Sequence, residues 1–217
     1  MQVQEIVTRV RAAIDEQTAN NSEFANGTSD EQNLRGIIID KIPYALTFIL
    51  ENAPEDKLDD ETLDRLTQAE TSGVTIAAGA PVKVQLPSDV LRVVSARLSS
   101  WSQSPVPVSD SSQEYLMQQD EYARGSWDRP VNAIAYHGAY RYLELYSAKA
   151  NTDAIEATVI RKPVIGDTSV NATDVSVPYR LEGAFIYQIA GLTMVAFREE
   201  VAAKLFGIAR EFLTVKE

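Results

Sequence analysis

The residue best suited to acid–base chemistry in this chain is His137, the sole histidine among 217 residues. It lies between Tyr136 and Gly138, with Ser126 and Asp128 nearby in the sequence. A serine hydrolase needs a histidine base beside a nucleophilic serine, and an acid that orients the base. The Gly-x-Ser-x-Gly turn that presents such a serine does not occur in the sequence. A histidine in a turn is the favoured interpretation, and a hydrolase with His137 in its site stays an alternative.

Carboxylates are the next candidates, because paired acids can act as general acid and general base. Glu114, Asp120 and Glu121 fall on one predicted helix, where solvated surface charge is the favoured explanation. The acidic run at 55–66 lacks the Asp-x-Asp-x-Asp-Gly pattern of a calcium loop. The sequence also contains no glycine-rich phosphate-binding loop. We therefore expect no catalytic residue, no metal site and no cofactor.

Composition excludes several further classes. The chain has no cysteine, which removes thiolate metal clusters, cysteine nucleophiles and disulfides. It carries 20 Lys and Arg against 31 Asp and Glu, a formal net charge of −11, whereas proteins that coat nucleic acid need clustered basic residues. No signal peptide and no stretch of 18 apolar residues is found. These features predict a cytoplasmic protein with no membrane partner.

A set of aromatic residues has two interpretations. Such side chains can form a stacking platform for single-stranded nucleic acid, or they can pack in a core and an interface. The set comprises Trp127, Tyr136, Tyr140, Tyr142 and Tyr146. We favour packing, because the basic residues near this set are few: Arg129, Arg141 and Lys149.

The first third of the chain is predicted to be helical. Apolar residues recur at helical spacing over 3–14, and a second helix is predicted over 31–52. Asp30 is a suitable N-cap for it, and Pro43 should kink or split it. A short helix is predicted to begin at Asp59 or Asp60 and to extend to Leu66. From Gly73 onward apolar residues alternate with small or polar ones, which indicates strands.

The remainder alternates between strands, turns and one final helical stretch. Strands are predicted at 74–76, 82–86 and 158–161, and a hairpin at 131–146 that turns at Gly138. The stretch 86–98 is predicted to be either a buried β segment or a short helical turn followed by a strand. Ser112 is expected to cap a short helix that ends near Gly125, and the segments 101–112 and 163–178 are predicted loops. Apolar residues then follow helical spacing over 181–212. That stretch could be one long helix, or two helices joined near Arg198.

These elements predict an α+β fold with N-terminal helices, a small central antiparallel β region with a short helix, and a long C-terminal helix. We expect a helical segment at 1–72, a β-rich middle at 73–178, and the C-terminal helix at 179–217, which packs on the N-terminal helices. The apolar face of the last segment is longer than one small domain covers, so a neighbouring subunit is a natural partner for the rest.

Part of the sequence resembles a family of phage proteins. Three segments carry the likeness: LPSDVLRVVSARLSSW at 86–101, the run 111–138, and YLELYSA at 142–148. They are similar to head–tail connector proteins of tailed bacteriophages, also called adaptor or ring proteins, most closely those of podovirus-like and crAss-like phages. The matching positions are Leu86, Pro87, Asp89, Leu91, Arg92, Val93, Trp101, Pro130 and Tyr142. The likeness extends over about residues 82–213.

The resemblance implies a structural protein of the virion neck rather than an enzyme. Members of this family form a ring, commonly twelve-fold, beneath the portal protein, extend the channel for passing DNA, and dock tail or further ring proteins. We therefore expect a virion protein that assembles in the host cytoplasm; a non-viral cytoplasmic binding module is the alternative. Interface candidates come from the turn-rich segment, the Arg residues near prolines and the C-terminal apolar stretch, namely Trp101, Pro105, Pro107, Arg129, Arg161, Leu205 and Phe212.

Overall fold

The computed structural model describes residues 1–18, 28–165 and 174–214. Within these ranges the chain forms two units. A helical unit contains residues 1–60 and 163–217, and a β unit contains residues 61–162. The α+β class predicted from the sequence is confirmed. The polar segment 20–26, which the sequence predicts to be a loop, and residues 166–173 of the loop expected at 163–178 lie outside the described residues.

The helical unit packs three helices around a central fourth. α1 (Val3–Thr18), α2 (Thr28–Asn52) and α5 (Glu199–Thr214) all contact α4 (Glu182–Met194). α4 is apolar around most of its circumference, which suits a helix that is enclosed by others. α2 begins at Thr28, so Asp30 lies inside its first turn instead of preceding it, and the helix continues through Pro43 without a split.

The C-terminal stretch is two helices, the second of the two alternatives that the sequence left open. α4 ends at Met194 and α5 begins at Glu199, so the predicted long helix is corrected to a pair. Gly183 lies against the ring of Phe212, and Gly191 lies against the ring of Phe206. These contacts show that the two helices run antiparallel. The stretch therefore folds back on itself, and much of its long apolar face is covered within its own unit.

The β unit contains two sheets. One has the order β1 (Asp64–Arg65), β7 (Ile155–Arg161), β3 (Val90–Leu98), and all its pairings are antiparallel. The other has the order β2 (Val82–Gln85), β6 (Tyr140–Tyr146), β5 (Val131–His137), β4 (Val108–Ser109). β5 and β6 form the predicted hairpin, and Gly138 adopts the positive φ of 65° that its turn requires.

One apolar core contains side chains from both sheets, with Val82, Val84, Leu143 and Leu145 from the four-stranded sheet. Two polar side chains of the four-stranded sheet hydrogen-bond to carbonyls of β3, an edge strand of the three-stranded sheet. Arg141 donates to the carbonyls of Val90 and Leu91, and Asn132 donates to the carbonyl of Ala96. Edges protected in this way resist pairing with strands of other molecules.

Three local predictions are corrected. The helix expected near 59–66 is replaced by two single turns, Glu55–Lys57 and Asp60–Thr62, followed by β1. No strand forms at 74–76; Val74 and Ile76 pack against the core from irregular backbone. The helix after Ser112, here α3 (Gln113–Met117), is capped as predicted but has only five residues. The units also divide near 60 and 162, instead of 72 and 178, because β1 and β7 pair with each other.

Candidate functional site

Two interface candidates are buried in the units to which they belong. Trp101 is 3% exposed, lies in the core of the β unit, and donates its indole N–H to the carbonyl of Ser147 at 3.0 Å. Leu205 is fully buried in the helical unit. Both residues contribute to the cores, which corrects their assignment as accessible interface residues.

The other uncharged candidates and Arg129 are at least partly exposed. Pro105 and Pro107 are half-buried, and the carbonyl of Pro105 accepts a hydrogen bond from Asn132. Arg129 is exposed next to Pro130. Phe212 is 45% exposed, and the other part of its ring stacks on Tyr187. Arg129 is the one charged residue among these four, and its side chain is accessible.

Arg161 uses its charge within the chain. Its guanidinium binds Asp64 at 2.5 Å, Glu70 at 2.9 Å and Asp89 at 2.8 Å. These three carboxylates come from β1, from the turn after it, and from the residue before β3. The network joins three separate segments to the end of β7, so the charge of Arg161, an interface candidate, is already paired within the unit.

A polar cluster in the β unit surrounds Glu144, whose side chain is completely inaccessible. Its carboxylate binds Lys83 Nζ at 2.7 Å, His137 Nε2 at 2.7 Å, and Tyr146 Oη at 2.5 Å. Tyr115 of α3 also hydrogen-bonds to it. The cluster lies on the face of the four-stranded sheet opposite Leu143 and Leu145, because side chains alternate along a strand.

The cluster keeps its carboxylate ionised. Burial alone would raise the pKa of Glu144, since a charged carboxylate is disfavoured in an apolar interior. Hydrogen bonds from Lys83, Tyr146 and His137 outweigh this effect, so the pKa lies below its usual value. Burial, and then the charge and hydrogen bond of Glu144, raise the pKa of Tyr146. Glu144 therefore acts as a buried anion that joins β2, β5, β6 and α3.

His137 is a member of this cluster. Its Nε2 contacts Glu144, and its ring meets Tyr142 edge to face with the centroids 5.2 Å apart. Ser126, the serine considered as a nucleophile, donates its hydroxyl to Asp128. The three residues considered as a catalytic triad are therefore not paired as a triad requires. His137 hydrogen-bonds to Glu144, and Ser126 hydrogen-bonds to Asp128.

The aromatic set is divided between the interior and the surface. Tyr146 is buried and Tyr142 half-buried, whereas Tyr136 and Tyr140 are exposed near the hairpin turn. Trp127 is about half exposed, and the ammonium of Lys149 lies 4.2 Å from the centre of its ring. Packing therefore accounts for the buried members, and the exposed ones form part of the surface.

The structure contains an apolar surface that the sequence did not indicate, because the segment that carries it was expected to be a polar helix. Large side chains are exposed at four positions between 116 and 127, which we call the 116–127 surface: Leu116, Met117, Tyr122 and Trp127. Tyr122 is 99% exposed, close to the maximum for the residue. One feature of the sequence could have indicated this surface: several large apolar residues occur close together in a short polar segment.

Two neighbouring depressions belong to this surface. Met117 and Tyr122 line one of about 640 Å³, and Trp127 lines another of about 290 Å³. Both depressions share the residues Arg124, Gly125 and Ser126, so they are adjacent. Their charged lining residues comprise three bases and three acids, namely Arg124, Arg129 and Lys149 with Glu114, Glu121 and Asp128.

Comparison with known proteins assigns no family. The chain matches no protein-family model and no curated protein. In the part of the chain that the structure describes, no group of three acidic or histidine side chains is arranged to hold a metal ion. None of the helices among the described residues has the length and apolarity needed to cross a membrane.

Proposed function

We propose that this chain is a structural subunit of the neck of a tailed phage, where copies form a ring between portal and tail. The observation that carries the proposal is the place of the resembling residues in the fold. Those of the first two segments, together with Tyr142, lie in the β unit. There they form a continuous series of elements: turn, strand β3, Trp101, helix α3 and the β5–β6 hairpin.

Several of these residues have identifiable structural roles. The carbonyl of Pro87 accepts from the amide of Val90 in the turn before β3, and Asp89 binds Arg161. Trp101 fills the core, and Tyr142 packs on His137. The resembling pattern is thus a set of residues that build a domain, which supports a structural role better than a catalytic one.

The two polar clusters also support a structural role. Around Glu144 and around Arg161, ion pairs join separate segments of the β unit. The net charge of −11 suits a channel that must release passing DNA, because a lumen of like charge repels phosphates. A ring in which Lys and Arg face inward would contradict that part of the proposal.

Light scattering and electron microscopy of the purified full chain test the proposal. We expect rings, commonly twelve-fold, either from the chain alone or after addition of the portal protein from the same genome. A chain that stays monomeric and does not bind that portal protein would overturn the proposal. His137→Ala separates it from the hydrolase alternative. Because His137 hydrogen-bonds to the buried Glu144, circular dichroism first verifies that the variant is folded; the folded variant of a ring subunit still assembles, whereas a hydrolase loses its rate.

A further inference from the structure

We propose that the 116–127 surface is a docking site for a second copy of this chain. The inference rests on the proposed ring function, and it assigns one of the contacts between neighbouring subunits to this surface. Aromatic residues, Met and Arg are enriched in protein–protein interfaces. The surface has this composition, with Tyr122, Trp127, Met117 and the exposed Arg129 beside them.

The backbone beneath the surface is well held. Gln118 is buried; its side-chain amide donates to the carbonyl of Glu114, and its side-chain oxygen accepts from the amide of Gly125. Tyr115 hydrogen-bonds to Glu144, and Ser147 donates to the carbonyl of Gly125. A side chain at position 125 would meet the carbonyl of Arg129 and the side chain of Val131 at 3.0 Å. A surface ordered before contact loses less conformational entropy on binding.

The exposed area is suited to a stable contact. The four side chains together expose roughly 500 Å², if a fully exposed large side chain contributes about 200 Å². The largest apolar patch on a typical monomer is about 300–600 Å² and is often functional. One side of a standard protein interface buries about 800 Å². The 116–127 surface supplies more than half of that area.

Charge permits a second copy as the partner. Each chain has a net charge of −11, so two copies repel each other over most approaches. The charged residues that line the two depressions are balanced, three bases against three acids, and the exposed Asp120 adds one acid beside them. Two acidic copies can therefore meet here with little net charge, and Arg129 is available to pair with a carboxylate of the neighbour.

Site-directed photo-crosslinking tests the proposal. Because the chain has no cysteine, Tyr122→Cys creates a unique thiol, which is labelled with benzophenone maleimide. Tyr179→Cys is the matched control, since Tyr179 is also a highly exposed tyrosine but lies in the helical unit. We expect illumination of the purified protein to give covalent dimers at least about fivefold more abundant from Y122C than from Y179C. Equal or lower yields from Y122C would overturn the proposal.

Two further variants keep the test decisive. Glu121→Cys places the label beside the surface while all four apolar side chains remain, and it should crosslink as Y122C does. The double change Tyr122→Ser with Trp127→Ser should raise the concentration of half-association by about tenfold, measured by light scattering. Circular dichroism verifies that each variant is folded. Association unchanged in the double variant would also overturn the proposal.

The outcomes separate this proposal from the proposed function. Rings seen by microscopy without preferential crosslinking at position 122 would leave the ring function in place and remove this surface from its contacts. Preferential crosslinking of a chain that forms no rings, either alone or with the portal protein, would support the surface and contradict the ring function. Monomers that do not crosslink would overturn this proposal, while binding to the portal protein would still decide the proposed function.

Discussion

Glu144 shows how a buried charge can determine local structure in this protein. Removing a carboxylate from water is costly, and the cost is offset only when its oxygen atoms are fully paired. Lys83, His137, Tyr146 and Tyr115 provide that pairing from four different elements. The carboxylate is consequently sensitive to any change that removes its charge, and Glu156, a half-exposed glutamate in the other sheet, offers a comparison.

Glu144→Gln should lower the free energy of unfolding by about 3 kcal/mol, because the charge-assisted bonds are lost while Lys83 keeps its charge. Glu156→Gln is the matched control: Glu156 pairs with Arg97 at 2.7 Å, but both side chains are about half exposed, so a loss below about 1 kcal/mol is expected. Urea unfolding followed by tryptophan fluorescence measures both variants, since both tryptophans lie in the β unit. Equal losses would contradict the assigned role of Glu144.

The Arg161 network should make stability depend on pH. Hydrogen bonds from Arg161 lower the pKa of Glu70 to about 2, from 4.5 in the unfolded chain. A depressed folded pKa stabilises the folded state above the unfolded value, and this stabilisation is lost as the pH falls from about 4.5 toward 2. We expect the urea midpoint of the β unit to decrease over that range, and to decrease less steeply in Glu70→Gln. An unchanged slope in the variant would show that Glu70 does not contribute.

At the scale of elements, the antiparallel pair α4–α5 reassigns Leu205 from interface to core. Leu205→Ala should destabilise the helical unit by about 3 kcal/mol, because a buried Leu leaves a cavity when it is truncated. Lys204→Ala, which changes an exposed neighbour on α5, should cost less than about 0.5 kcal/mol. Thermal unfolding followed by far-UV circular dichroism provides the measurement. The folded L205A protein should keep the oligomeric mass of the wild type, and a lower mass would return Leu205 to the interface.

Elements with strong local signals were predictable from the sequence. The β5–β6 hairpin follows from apolar alternation and from Gly138 at the turn, and α1 follows from its apolar spacing. β1 was missed because two residues, Asp64 and Arg65, carry no period, and their strand exists only through pairing with β7. The break between α4 and α5 was expected near Arg198, but only as one alternative, since residues 195–198 include neither Gly nor Pro.

The buried glutamate could not be predicted for a related reason. In the sequence of β6, Glu144 alternates with Leu143 and Leu145 and has the pattern of a solvent-facing residue. Tyr115 of α3 lies beside it on that face, and its partner Lys83 becomes apparent only from the pairing of β2 with β6. The burial of Glu144 depends on contacts between segments that are distant in the sequence. Local residue patterns do not encode such contacts.

For the whole molecule, charge and apolar surface have opposite effects on assembly. A charge of −11 on every copy opposes association, whereas the 116–127 surface favours it. Salt screens the repulsion between exposed charges, since the Debye length falls from about 10 Å at 0.1 M to about 3 Å at 1 M. Apolar contacts are not weakened by this screening. The salt dependence of self-association therefore reports which interaction dominates.

We expect association of the full chain, measured by light scattering, to strengthen by about tenfold between roughly 0.05 M and 0.5 M NaCl, because repulsion between acidic copies is removed. Arg129→Ala is the informative variant: it removes one exposed base from the rim of the surface, so it should associate more weakly at low salt and approach the wild type at high salt. If association instead weakened as salt was added, ion pairs would dominate the contact, and the apolar side chains of the 116–127 surface would have a secondary role.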